Sequence, residues 1–149
     1  MTIENNEILL YGKRLYIGMP FEEASALLRD WIAVERIPGE NGLGHIMVDG
    51  IVFYGLHGSC TIHFQEGLLK WIGMEPAWKQ YNLTDDTGKR LRIDLAVERV
   101  ASYSIEGLRA AFGTETERSK YGNYLFIAGA LYIVASIARS GEQYSVVIQ

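Results

Sequence analysis

Between His45 and Gly73 the chain carries three turn signals separated by apolar runs, and their spacing constrains the fold more than any other feature of the sequence. Asp49-Gly50 is a strong two-residue hairpin signal, and it predicts pairing of Val48 with Ile51, Ile46 with Phe53 and His45 with Tyr54. A four-residue turn over Leu56 to Ser59 then returns the chain, so that Phe53 faces Ile62 and Tyr54 faces Thr61. Glu66-Gly67 makes the third turn, which sets Phe64 opposite Leu69, Ile62 opposite Trp71 and His63 opposite Lys70. Directly opposed residues share a face of a sheet. One face therefore collects Ile46, Val48, Ile51, Phe53, Ile62, Phe64, Leu69 and Trp71, with no polar member. The other, mixed face collects His45, Met47, Val52, Tyr54, Thr61, His63, Lys70 and Ile72. Three turns read separately give one consistent four-stranded meander with a flank that needs a cover.

The cover is written just upstream. In LYIGMPFEEASALLRDW, Leu15 to Trp31, the residues Phe21, Ala24, Leu28 and Trp31 recur at spacings of three, four and three, which stacks them on one helical face. Pro20 is tolerated only in a first helical turn, and Glu22 and Glu23 then sit at the positive end of the helix dipole. A helix from Pro20 to about Ala33 is expected. Before it, Gly12-Lys13 lies between two apolar runs and predicts a II′ hairpin with strands at about 7–11 and 14–17. After it, Pro38, Gly39, Gly42 and Gly44 make a loop.

Downstream, Glu75 to Gly88 reads as a linker or long loop pinned by Trp78 and Tyr81, and Leu91 to Val100 as a strand start passing into helix. Ser104 is a good N-cap for a short helix whose stripe is Ile105, Leu108 and Phe112 and whose stop is Gly113. Thr114 to Tyr121 reads as charged loop. A second meander turns at Ala128-Gly129 and Ser140-Gly141. It places Tyr124, Phe126, Leu131, Ile133, Ala135, Ile137, Tyr144, Val146 and Ile148 on one face. The opposite face holds Leu125, Ile127, Ala130, Tyr132, Val134, Ser136, Gln143, Ser145 and Val147, apolar enough to predict covering on both sides. The expected fold is therefore α+β: antiparallel meanders with helices packed on one face, in a single domain spanning 1–149. GKRLYI at Gly12 returns as GKRLRI at Gly88, 76 residues on, and Gly50 is answered by Gly129, 79 residues on, which suggests a tandem repeat of 1–75 and 88–149. IAVERI at Ile32 and LAVERV at Leu95 match at an offset of 63, which conflicts with it.

Composition narrows the function classes. With 48% hydrophobic and 21% charged residues, the chain is an ordinary globular protein and wholesale disorder is excluded. A net charge of −4 with singly scattered Lys and Arg argues against nucleic acid. The single Cys60 excludes an internal disulfide and a multi-cysteine zinc site. The longest apolar run, near Ala128 to Ala138, is far shorter than the ~18 to 20 residues of a membrane span. MTIENNEILLYGKR has no signal-peptide pattern, so a cytoplasmic protein is expected.

Ile17-Gly18-Met19, the Phe21 to Leu28 helix opening with Glu-Glu-Ala, and the hairpins that follow resemble the helix-and-sheet repeat of the β-lactamase inhibitor proteins and the small outer-membrane assembly lipoproteins. Gly88 to Gln149 would be a weaker second copy. Pro20 departs from the capping hydroxyl usual there, and signal peptide and lipid-attachment cysteine are missing, so the exported and envelope roles are not carried over. The resemblance implies a non-catalytic fold whose open sheet face grips another protein.

His57, Cys60 and His63 form HxxCxxH, a spacing that invites a metal or a Cys-His nucleophile. The register puts Cys60 on the core face, His63 on the mixed face and His57 in a turn, so a buried thiol and two partly exposed imidazoles are the expectation. Glu22-Glu23 and Asp85-Asp86 are explained by the helix dipole and by solvation. No cofactor motif is present. The mixed face has the composition of a protein-binding patch. The expected activity is accordingly non-enzymatic binding of another protein, of inhibitor or immunity type, through His45, Met47, Tyr54, His63, Lys70 and Trp78. Two alternatives stand beside it: a small-molecule or metal-dependent enzyme using His45, His57 and His63, and a homodimer that seals the mixed face.

Overall fold

Residues 1–76, 78–84, 90–96, 103–139, 141 and 144–149 are described by a computed structural model, the stretches 78–84 and 90–96 by their backbone. In chain order the elements are β1 (Thr2–Glu4), β2 (Glu7–Leu10), β3 (Lys13–Leu15), α1 (Phe21–Leu28), β4 (Ile32–Arg36), β5 (Gly44–Phe53), β6 (Leu56–Gln65), β7 (Leu68–Glu75), β8 (Trp78–Thr84), β9 (Arg90–Ala96), α2 (Glu106–Phe112), β10 (Glu117–Arg118), β11 (Asn123–Ala128), β12 (Leu131–Ile137) and β13 (Tyr144–Ile148). The class is α+β. Eight strands form one antiparallel sheet in the order β10-β11-β12-β13-β7-β6-β5-β4. The two expected meanders are thus joined edge to edge, with Val146 opposite Met74, Val147 opposite Gly73 and Ile148 opposite Ile72.

One face of this sheet is the core. An isoleucine row, Ile46-Ile62-Ile72-Ile148-Ile133, crosses its centre and ends on Phe126, each residue directly opposite the next and each at most 1% exposed. Phe21, Ala24 and Leu28 of α1 and Leu108 of α2 enter the same buried cluster, as do Ile8, Leu10 and Leu15 of the three-stranded β1-β2-β3 sheet. Phe21 meets Phe64 edge to face at 5.0 Å. Helix α2 seats on the β5-β6 turn, where Gly107 lies so close that a Cβ would fall on the Tyr54 carbonyl oxygen.

Several expectations are corrected by register. Asp49-Gly50 is not a hairpin turn: β5 runs straight through it as one bulged strand, with Gly50 at φ +69°. Val48 faces Cys60 while Ile51 faces Gly58, so one extra residue is absorbed there. The turn lies instead at Tyr54-Gly55, both at positive φ, and Leu56 to Ser59 belong to β6. Glu66-Gly67 is the turn expected, and Phe64 faces Leu69. A second bulge then sets His63 opposite Trp71 and Ile62 opposite Ile72, leaving Lys70 as the extra residue. Trp71 accordingly leaves the core face and Ile72 joins it. The first hairpin turns at Tyr11-Gly12, one residue earlier than expected, with both φ positive as in a I′ turn. The second meander turns at Gly129-Ala130, again one residue away from the expected pair.

Helix α1 stops at Leu28 rather than near Ala33, because Ile32–Arg36 pairs with β5 as the edge strand. Trp31 therefore lies beyond the helix and stacks on Tyr11 at 5.0 Å instead of entering the core. The expected linker Glu75 to Gly88 contains β8, which pairs with β9 along its full length. The strand start at Leu91 is present, while the helical continuation over 97–100 and the pair Asp85-Asp86 lie outside the described residues. Ser104 accepts the Glu106 N–H at 3.4 Å, and Gly113 closes α2 with its N–H on the Arg109 carbonyl.

The two halves share an order of elements: a hairpin, a helix, a short edge strand and a three-stranded meander, as β2-β3, α1, β4, β5-β6-β7 and again as β8-β9, α2, β10, β11-β12-β13. In this order β4 answers β10, not β9, so the 63-residue match of IAVERI to LAVERV does not follow the fold.

Candidate functional site: the open sheet face

The sheet's second face follows from the same alternation, displaced by one residue. A row of Val34, Met47, Thr61, Gly73, Val147, Val134, Leu125 and Glu117 crosses all eight strands, each residue directly opposite the next. Six of the eight are apolar or glycine between β5 and β11 or at the β4 edge, yet none of the eight is buried. Around the row, Val52 is 46% exposed, Trp71 36%, Ile127 46% and Tyr132 50%. Among the described residues, the covering predicted for both faces of the second meander is therefore found on one face alone.

At the β5-β6-β7 end this face carries a polar and aromatic cluster. Arg36, His45, His63 and Trp71 are successive partners across β4, β5, β6 and β7. His45 and His63 have ring centroids 6.4 Å apart, and the indole of Trp71 stacks on His63 at 3.4 Å and 16°. Gly73 makes this possible, because a Cβ there would come 2.8 Å from Cζ3 of Trp71. The indole and the sheet dry the imidazole, and His45 adds to the effect, so His63 is lowered to about 4 from its ordinary 6.5. Lys70, ejected by the bulge, joins Arg36, His45, His63 and Trp71 around a cleft of about 220 Å³. The bulge thus turns a core-bound tryptophan into a surface aromatic.

Of the residues expected to bind, His45, His63 and Lys70 come together here, and Met47 lies on the same face in the adjoining row. Tyr54 does not. It sits in the β5-β6 turn on the helix side, with its ring edge to face with Phe53 at 4.8 Å and Phe112 at 4.9 Å, and its hydroxyl accepts the Ile3 N–H. Trp78 opens β8, and its side chain lies outside the described residues. Residues that sequence reasoning missed as site members are Trp71, Val34, Tyr132 and Ile127. The last two were on the right face but read as covered.

The HxxCxxH spacing brings no ligand set together. Cys60 is fully buried in the core, where burial pushes its thiol up to about 12. His63 faces the open side, and His57 lies in β6 opposite Val52 rather than in a turn. Among the described residues no group of three or more His, Cys, Asp or Glu could hold a metal ion. No helix among them is long and apolar enough to cross a membrane. Compared with known proteins, the chain matches no protein-family model, no curated protein and no solved structure at a significant level.

Proposed function

We propose that this chain is a non-enzymatic protein-binding module whose grip is the open face of the eight-stranded sheet. The observation that carries the reading is the unburied apolar row from Val34 to Leu125 with Trp71, Tyr132 and Ile127 beside it. Seven inter-strand steps make the face about 34 Å wide and its strands about 20 Å long, comparable to the ~800 Å² that each partner gives to a standard interface. Aromatic groups on a charge-poor field are the composition of an interface core, and Trp71 and Tyr132 are its natural anchors. The mechanism is occlusion: a rigid sheet laid against a partner's active or binding surface, as an inhibitor or immunity protein works. A net charge of −4 favours a basic partner and its encounter rate. A cytoplasmic site of action and descent of the two halves from one duplicated unit belong to the same proposal.

The test is affinity capture from the native cell with the parent chain and with Trp71→Ser combined with Tyr132→Ser. The expected result is a partner captured by the parent and lost by the double variant, with the two melting within a few degrees of each other. A partner held equally by both chains overturns the reading. A solution mass of twice the monomer that the double variant halves assigns the face to a second copy instead.

A further inference from the structure

A second site lies on the opposite, helix-bearing side. There a cavity of about 870 Å³ is lined by Arg118, Lys120 and Arg139 together with Tyr121, Tyr124 and Ile105. Alternation explains its sign. In β10, Arg118 pairs with Tyr124 on the inner row, whereas Glu117 pairs with Leu125 and points to the open face. The neighbouring acid is already committed, since Glu115 accepts two hydrogen bonds from the Arg109 guanidinium, at 2.9 and 2.8 Å. Among the described residues no carboxylate lines the cavity, and no ion pair engages Arg118, Lys120 or Arg139.

Two of the three cations are also held in place. The Arg118 guanidinium lies 5.1 Å from the Tyr124 ring centroid and Lys120 Nζ lies 4.9 Å from that of Tyr121, distances at which ring faces attract cations. The Ser119 hydroxyl accepts the N–H groups of Tyr121 and Asn123 at 3.2 and 3.1 Å, which fixes the turn that carries Lys120. Three cations around one cavity, none of them in an ion pair among the described residues and only Arg118 within the field of Glu115, repel one another unless an anion joins them. The volume is that of a site for an organic molecule, larger than a lone phosphate needs. Tyr121, 81% exposed, offers aromatic surface beside the cations.

We propose that this cavity binds a small organic molecule carrying two or more phosphate groups. Its cations bind the phosphates and its tyrosines flank the organic part. The site is independent of the sheet-face grip.

The experiment is calorimetric titration of the full chain with ATP as a triphosphate probe, adenosine as its uncharged counterpart, and a short single-stranded oligonucleotide. ATP is expected to bind saturably at one site and to weaken as salt is raised, with adenosine at least tenfold weaker. Arg118→Gln with Arg139→Gln is expected to weaken ATP at least tenfold, with far-ultraviolet circular dichroism and melting unchanged. Should that pair not fold, Lys120→Gln alone is expected to weaken ATP several-fold. Trp71→Ser with Tyr132→Ser leaves ATP binding at the parental value. The proposal is overturned by no saturable ATP binding at millimolar concentration, by equal binding of adenosine, by folded Arg or Lys variants that bind as the parent does, or by an oligonucleotide that binds more tightly than ATP.

Discussion

The two faces of the eight-stranded sheet are built from the same strands with nearly the same kinds of residue, yet one is dry and the other is open. The inner row, Ile32-Val48-Cys60-Met74-Val146-Ala135-Tyr124-Arg118, and the outer row, Val34-Met47-Thr61-Gly73-Val147-Val134-Leu125-Glu117, both cross all eight strands, one residue apart on seven of them and two apart where β4 bulges. Val48, Cys60, Val146 and Ala135 are fully buried, while no member of the outer row is. Among the described residues, what separates the faces is which one receives α1, α2 and the small β1-β2-β3 sheet, not hydrophobicity. Apolar residues on both sides of a strand therefore do not imply a cover on both sides.

The sharpest way to break this comparison is to truncate one residue on each face. Ile62→Ala, at the centre of the isoleucine row, is expected to cost about 3 to 4 kcal/mol through lost burial and the cavity left behind. Tyr132→Ser on the open face is expected to stay within about 0.5 kcal/mol. Paired urea melts check it, and equal costs would mean that the outer face is packed as tightly as the inner one. The next effect tests what makes the inner face dry. Gly107→Ala drives a methyl onto the Tyr54 carbonyl and must lift α2 from the β5-β6 turn, at a cost of about 1 to 3 kcal/mol. A melting temperature equal to the parent's would show that α2 does not seat there.

Much of this fold was legible in the sequence, and the misses have one cause. Ile46, Val48, Ile51, Phe53, Ile62, Phe64 and Leu69 are on the core face as the alternation required. Asp49-Gly50 preserved that answer while meaning something else: as the two residues of a hairpin turn or as two residues opposing Ser59 in a bulge, the pair leaves Val48 and Ile51 on the same side. The bulge at Lys70 had no such twin reading. It moved Trp71 to the open face and Ile72 to the core, and no local signal marks it, because a charged residue in the middle of a strand is ordinary. The β13 to β7 pairing joins residues far apart in the chain and has no turn to announce it. It is also what merges two small faces into one large candidate grip. Ile32–Arg36 was lost to the helix because Trp31 completed its stripe, and pairing with β5 outweighed that periodicity.

The first bulge supplies the third test. Asp49 accepts the Ser59 hydroxyl at 2.6 Å, and Tyr11 donates to the Asp49 carbonyl at 2.8 Å. Asp49→Ala leaves the buried Ser59 hydroxyl without this partner and is expected to cost about 1.5 kcal/mol. Adding Ser59→Ala is expected to recover part of that loss, since an absent donor needs no acceptor. A double variant no more stable than Asp49→Ala would show that the carboxylate does not hold the bulge through this bond.

The smallest effect is the most informative about the open face, because His63 reports how dry that face is. Its imidazole is lowered to about 4 by burial beneath Trp71 and by His45. Between that value and the ordinary 6.5, the unfolded chain takes up a proton that the native chain refuses. Stability is therefore full above about pH 6.5 and declines as pH falls toward 4, by no more than about 1 kcal/mol, because the half-exposed ring is partly screened by water. Gly73→Ala places a methyl 2.8 Å from Cζ3 of Trp71, so the indole must swing away and water reaches His63. In this variant the proton NMR titration of His63 is expected to return toward 6.5 and the acid-side slope to flatten. A parent His63 that already titrates near 6.5 would mean the indole does not shield it. Trp71 would then stand free of the sheet, and the face would lose the one anchor whose orientation its own strand fixes.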